Sequence, residues 1–319
     1  MTFLQILAGL GLLAYGGDLL VRGAVGVADK MGVSPLFTGL VLVGFGTSLP
    51  ELVTSITAIS NGSSAIVVGN VLGSNVANIL LILGITATIL AIPAEPKSFR
   101  RDGPMLALAT VACMAFALSG EIDRYVGAIF VASLIAYLFY TYTTETQHPD
   151  ASAALHEEEA TLAEIPVTNS AVLWSLPFVG GAMVLLGAHW TVSGSITVAR
   201  SFEIPETVIG LTIVALGTSL PELATSVTAA MKRQTDVALG NIIGSNLFNI
   251  LGILGITALV QPITVPPGAL TYDLWIFGAV STLMFWFAFT DYQISRREGF
   301  IFVVFYAAYL VFLAFRAFG

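Results

Sequence analysis

VGFGTSLPELVTSITAIS at residues 43–60 and VALGTSLPELATSVTAAM at residues 214–231 share the hexapeptide Gly-Thr-Ser-Leu-Pro-Glu letter for letter, as Gly46 to Glu51 and Gly217 to Glu222. Each copy places a carboxylate and a proline within a stretch apolar enough to cross a bilayer. Ionisable groups at that depth are expensive and mark ion or substrate paths by default. At the same distance after each copy comes a second match, Gly69-Asn70-Val71-Leu72-Gly73-Ser74-Asn75 and Gly240-Asn241-Ile242-Ile243-Gly244-Ser245-Asn246. A shift of 171 residues aligns Gly16 with Gly187, Gly39 with Gly210, Glu51 with Glu222 and Asn78 with Asn249 without a gap. Further on the shift becomes 172, pairing Gly127 with Gly299 and Tyr137 with Tyr309. The chain is a duplicated unit, the layout of many secondary transporters.

Composition fixes the environment. Hydrophobic residues make up 56% and charged residues 10% of the 319 positions, which cannot be arranged as a soluble core under a polar surface. The chain reads as an all-α integral membrane protein. The lone Cys113 has no thiol partner, which excludes disulfide frameworks and cysteine-metal sites. Apolar runs near 3–28, 36–60, 64–91, 104–119, 124–143, 170–198, 207–230, 237–260, 271–290 and 299–317 match the roughly 20 residues needed to span a hydrocarbon core. Ten transmembrane helices are expected, five in residues 1–143 and five in 170–319.

An odd number of crossings per unit makes the second half enter from the opposite side, so the two five-helix repeats are inverted and their broken helices meet at the midplane. Lys30, Lys97, Arg100, Arg101, Lys232, Arg233, Arg296 and Arg297 fall on one face, against Arg124, Arg200 and Arg316 on the other. The positive-inside rule then puts both termini of this multi-pass cell-membrane protein outside. Residues 144–169 carry Glu145, Asp150, Glu157, Glu158, Glu159 and Glu164 with no Lys or Arg, and read as a solvated cytoplasmic linker.

Within the hexapeptide, proline removes a backbone donor and clashes with the carbonyl four residues back. Pro50 is therefore expected to free the carbonyl of Gly46, and Pro221 that of Gly217. Broken helices at membrane depth occur where they line a cavity. Thr47, Ser48 and Glu51, and Thr218, Ser219 and Glu222, would cluster about the break. Asn70, Ser74 and Asn78, with Asn241, Ser245 and Asn249 in the second copy, are spaced by four and form a polar stripe on the following helix. Gly69/Gly73 and Gly240/Gly244 are small-xxx-small pairs that let backbones approach closely. These candidate ligands are all oxygen, which selects calcium, sodium or magnesium over zinc or copper, and magnesium's reluctance to dehydrate ranks it last.

The doubled Gly-Thr-Ser-Leu-Pro-Glu followed by Gly-Asn-x-x-Gly-Ser-Asn-x-x-Asn resembles the alpha repeats of the cation/calcium antiporter superfamily, most of all its sodium/calcium exchangers. The resemblance covers nearly the whole chain. It implies exchange of Ca2+ for Na+ by alternating access, with those ions and membrane lipid as partners, no nucleic acid, no resident cofactor and a chain able to act as a monomer. It places the central metal ligands on Glu51 and Glu222, with Thr47, Ser48, Thr218 and Ser219 beside them. Asn78 and Asn249 match its amide or acid positions, Ser74 and Ser245 its hydroxyl positions, and Gly44 and Ala215 positions that offer a backbone carbonyl. Relatives that need potassium resemble this chain but carry aspartate where Asn249 stands, so potassium dependence is not expected. A proton-coupled antiporter of calcium or another divalent ion could use the same glutamates and stays open as the alternative. An enzyme is not expected, since neither a metal-binding His pair nor a Gly-x-Ser-x-Gly turn occurs.

Other polar residues are read more plainly. Asp18 and Arg22 stand at i, i+4 and can neutralise one another. His189, at the position of Asp18 in the second half, is expected to pack through a hydrogen bond. Asp273 lies near a helix start, where a carboxylate suits the dipole.

The charge asymmetry is testable directly. A cysteine introduced at Glu158 in a Cys113→Ser background is expected to react with an impermeant thiol reagent only from the cytoplasmic side. Labelling from outside in intact cells overturns this orientation.

Overall fold

The computed structural model describes residues 2–94, 96–147, 170–202 and 215–318. Most of the acidic linker, 148–169, and the expected start of the seventh span, 203–214, lie outside them. The described residues are helical apart from short connections and four two-residue strands. Eight helices are long and apolar enough to span a bilayer, and a bent pair makes a ninth.

In chain order the helices are α1 (Thr2–Met31), the pair α2 (Leu36–Thr47) and α3 (Leu49–Ser60), α4 (Ser64–Ile89), α5 (Pro96–Leu118) and α6 (Arg124–Gln147). They continue as α7 (Ser170–Ser201), the short α8 (Ala215–Thr218), α9 (Leu220–Met231), α10 (Thr235–Val260), α11 (Ala269–Thr290) and α12 (Arg296–Phe318). Burial is inverted relative to a soluble protein. Phe3, Tyr125, Phe139, Trp286 and Phe300 are exposed, whereas Glu51, Asn75, Glu222, Asn241 and Asn246 are buried. Hydrocarbon solvates the outer face, so every polar group has to find its partner inside.

The breaks fall earlier than the prolines. The chain leaves helical geometry at Ser48 (φ −85°, ψ 8°) and Ser219 (φ −90°, ψ 2°), and α2 meets α3 at 42°. Pro50 and Pro221 stand in the first turn of the next helix, where the missing N–H costs nothing because it would have no intrahelical acceptor. The prolines thus start new half-helices; they do not kink through the middle of old ones. Among the described residues, widened π turns at Gly39–Gly44, Asn78–Leu83 and Phe248–Leu254 lie inside α2, α4 and α10, and one at Ala269–Asp273 opens α11. Such turns recur at functional positions.

Contacts between the halves exchange equivalent positions. A Cβ on Gly9 would meet the Gly187 carbonyl oxygen at 2.8 Å, and one on Gly16 the Gly180 carbonyl oxygen at 2.9 Å. As numbering rises along α1 it falls along α7, so the two helices cross antiparallel at backbone contact. Gly84 of α4 lies against Gly299 of α12, and Gly127 of α6 against Gly255 of α10. Strands do the same. β1 (Ile92–Pro93) pairs antiparallel with β4 (Gln293–Ile294), and β2 (Glu121–Ile122) with β3 (Ile263–Thr264).

Gly240 and Gly244 of α10 sit on the backbone of α2, where a Cβ would come within 2.3 Å of the Leu36 and Leu40 carbonyl oxygens. This is the expected close approach, made to the broken helix of the other half. No described atom comes within 4 Å of a Cβ on Gly69 or Gly73; the residues that answer to Leu36 and Leu40 are 207 and 211, outside the described residues.

Asp18 binds Arg22 Nε at 2.8 Å as expected, and also Lys232 Nζ at 2.5 Å, tying α1 to the end of α9. His189 is exposed on α7, not packed as expected. The residue that answers to Arg22 is Ser193, so no charged partner holds that face inward. Asp102, fully buried, is neutralised by Arg101 at 2.6 Å and accepts a hydrogen bond from the Tyr137 hydroxyl at 2.8 Å.

Gly180→Val is expected to lower the thermal midpoint of the purified protein, because its Cβ would fall 2.4 Å from the Leu20 nitrogen, and overpacking of this kind costs about 1 to 3 kcal/mol. Gly181→Ala, with no described atom within 4 Å of the added Cβ, is expected to leave the midpoint unchanged.

Candidate ion-binding site

Both glutamates belong to the first turns of half-helices that begin at a serine. Glu51 is 1% and Glu222 2% exposed, and no ion pair among the described residues includes either. Two carboxylates in a low-dielectric interior without a basic partner are costly unless hydrogen bonds or a cation compensate them.

The hydrogen bonds cross between halves. Ser48 Oγ donates to Glu222 Oε1 at 2.8 Å, while the Thr218 hydroxyl bonds the Glu51 carboxylate. The two carboxylates are close enough to repel one another. Each keeps one oxygen, Oε2, that is buried with no hydrogen-bond partner among the described residues. Ser219 Oγ, Asn249 Oδ1 and both amide atoms of Asn78 are buried and unpaired in the same sense. Buried polar side chains are normally satisfied, so the unpaired oxygens of this set, the donor nitrogen of Asn78 left aside, are suited to a ligand that accepts electron pairs.

Other predicted residues are already engaged. Ser245 Oγ donates to the Gly44 carbonyl oxygen at 3.1 Å, the carbonyl expected to face a cation. Thr47 Oγ1 lies 3.0 Å from the Val43 carbonyl oxygen and 3.3 Å from Asn241 Oδ1. Ser74 is buried on α4, and Ala215 opens α8 beside Thr218. The structure therefore joins Glu51, Thr218, Ser48, Glu222, Thr47, Gly44 and Ser245 through direct contacts. It places Ser74, Asn78, Ser219 and Asn249 as buried groups with no hydrogen bond to either carboxylate among the described residues.

Sequence reasoning put Asn70 and Asn241 among the candidate oxygen ligands; the structure instead turns their amide nitrogens to a layer behind the glutamates, with Ser55 and Ser226, that the sequence reading missed. Asn70 Nδ2 donates to the Glu51 carbonyl oxygen at 3.0 Å and to Ser55 Oγ at 2.9 Å. Asn241 Nδ2 reaches the Glu222 carbonyl oxygen at 3.2 Å, Thr225 Oγ1 at 3.0 Å and Ser226 Oγ at 2.7 Å. The signal was present, since Ser55 and Ser226 stand four residues after the two glutamates and 171 apart.

A hard, oxygen-liganded cation fits this donor set. The model of the sodium/calcium exchanger protein family matches residues 1–143 and 172–315. The chain belongs to the sodium/calcium exchanger family. Among its relatives, a sodium/calcium exchanger of Methanosarcina acetivorans is 34% identical, with 98% of each chain covered. A putative antiporter of Alkalimonas amylolytica is 35% identical over 95% of this chain and 96% of its own. The sodium-calcium exchanger NCX_Mj, solved after soaking with Na+ and Ca2+, superposes with a TM-score of 0.82 at 30% identity over 97% of both chains. Exchangers are transporters and not enzymes, and the apolar helices make this member a multi-pass membrane protein.

Calcium is expected to raise the thermal midpoint of the detergent-solubilised protein and a chelator to reverse it. Ligand at a hundred times its Kd contributes about 2.7 kcal/mol of stability. A midpoint indifferent to calcium and to strontium refutes the site.

Proposed function

We propose that this exchanger moves Ca2+ against Na+ across the cell membrane by alternating access, with Glu51 and Glu222 as the central ligands. The observation that carries the reading is the pair of buried carboxylates, one from each half, each with an unpaired oxygen and no basic partner. Thr47, Ser48, Thr218, Ser219, Ser74, Ser245, Asn78 and Asn249 supply neutral oxygens around them, and Gly44 and Ala215 backbone carbonyls. Two carboxylates neutralise one calcium ion. Three sodium ions on the same pair leave one positive charge, so exchange is electrogenic.

The proposed frame is ten spans in two inverted five-helix units, 1–143 and 170–319, joined by a cytoplasmic linker at 144–169, with both termini outside. The antiparallel glycine crossing of α1 and α7 supports it, as does the exchange of strands and glycines between the halves. Inverted units around a midplane site are a recurring frame for alternating access.

Labelled calcium flux in proteoliposomes tests the function. Uptake is expected with an outward sodium gradient and not with a proton gradient, and Glu51→Gln or Glu222→Gln is expected to abolish it, since removing one member of a buried charge arrangement costs about 3 to 5 kcal/mol. Clamping the potential with potassium and valinomycin is expected to shift the final calcium gradient, because one charge moved is worth about 2.3 kcal/mol per 100 mV. Uptake driven by protons alone refutes sodium coupling. A gradient indifferent to voltage refutes three-to-one exchange.

A further inference from the structure

The half-helices that carry the glutamates lack the usual support. Their N-cap residues, Ser48 and Ser219, make no side-chain cap bond. Each glutamate therefore sits on a turn that its own segment holds poorly. In both halves the same side chain of the neighbouring helix reaches that turn.

We infer that Asn70 and Asn241 are positioning residues that aim Glu51 and Glu222, and that neither is a cation ligand. The inference rests on the two glutamates being the ion-binding pair. A backbone carbonyl only accepts hydrogen bonds, so the contacts at 3.0 Å to the Glu51 oxygen and 3.2 Å to the Glu222 oxygen turn the amide nitrogen toward the half-helix. The electropositive NH2 end is a poor neighbour for a metal ion. The second contact of each amide is a hydroxyl one turn after the glutamate, Ser55 at 2.9 Å and Ser226 at 2.7 Å. One planar amide thus grips two successive turns of the half-helix and fixes the rotation at which the carboxylate leaves it. Asn241 goes further, because its Oδ1 faces Thr47 Oγ1 at 3.3 Å. It ties the Glu222 half-helix to the broken helix of the opposite half.

Aspartate in place of asparagine separates positioning from ligation. It keeps the shape, removes both amide hydrogens and adds a hard anionic oxygen. A positioning residue then loses its grip, whereas a ligand becomes a stronger one. Asn241→Asp and Asn241→Leu are both expected to raise the KM for calcium about tenfold, the scale of one lost hydrogen bond to a buried group. The maximal rate is expected to stay within about threefold. The midpoint without calcium is expected to fall, as buried partners are left unpaired, and the rise on adding calcium is expected to shrink as well. Asn70→Asp and Asn70→Leu, at a half-buried position, carry the same test if the Asn241 variants are not recovered folded.

Wild-type or tighter calcium affinity in the aspartate variants overturns the inference in favour of ligation. A lowered midpoint without calcium, with the calcium-dependent rise intact, overturns it in favour of plain packing. Glu222→Gln in the same assay keeps the two readings apart. If it retains wild-type calcium affinity the central site itself is wrong, and if it loses affinity while the asparagine variants do not, only the positioning role fails.

Discussion

Two carboxylates buried side by side without a basic residue set the terms for the rest of the molecule. Both are buried from bulk solvent, where like charges repel more strongly than at a surface. The chain answers with hydroxyls from the opposite half, Ser48 to Glu222 and Thr218 to Glu51. Those bonds are possible only if the two broken helices end beside one another. That in turn requires the backbones of α2 and α10 to touch, which Gly240 and Gly244 permit. On the proposed reading a cation cancels the remaining charge, so the binding energy of the cargo and the stability of the centre are the same interaction seen from two sides.

The serine-proline break serves this arrangement in two ways. It ends one helix at Ser48 or Ser219 and begins another whose first turn bears the glutamate. A helix N-terminus carries partial positive charge, so the carboxylates stand where a backbone dipole favours them. Because the new helix is held by Asn70 or Asn241 and not by a cap of its own, its rotation is set by the neighbouring helix.

Much of this was legible in the sequence. The duplication, the apolar spans and the two glutamates needed only numbering and hydropathy, because a repeated polar motif in a membrane span has few bland explanations. The location of the break was not legible to within two residues: a proline reads as a kink in a helix until the helix start is known. Contacts across halves were also hidden. Periodicity tells which residues share a face, not which helix lies opposite, so the pairing of Ser48 with Glu222 and the addition of Lys232 to Asp18 and Arg22 emerged only from packing. The buried Asp102 escaped notice for the same reason, its neutralising Arg101 and Tyr137 coming from adjacent and distant chain.

The short strands carry a consequence for how the protein is made. β1 and β2 are synthesised early, yet their partners β4 and β3 lie 202 and 141 residues downstream, Ile92 opposite Ile294 and Ile122 opposite Ile263. Until those segments have been made, β1 and β2 lack their partners, and Gly84 and Gly127 lack Gly299 and Gly255 against them. Long-range pairing of this kind forms late. The strand pairs that join the two halves therefore cannot form until the second half has been made.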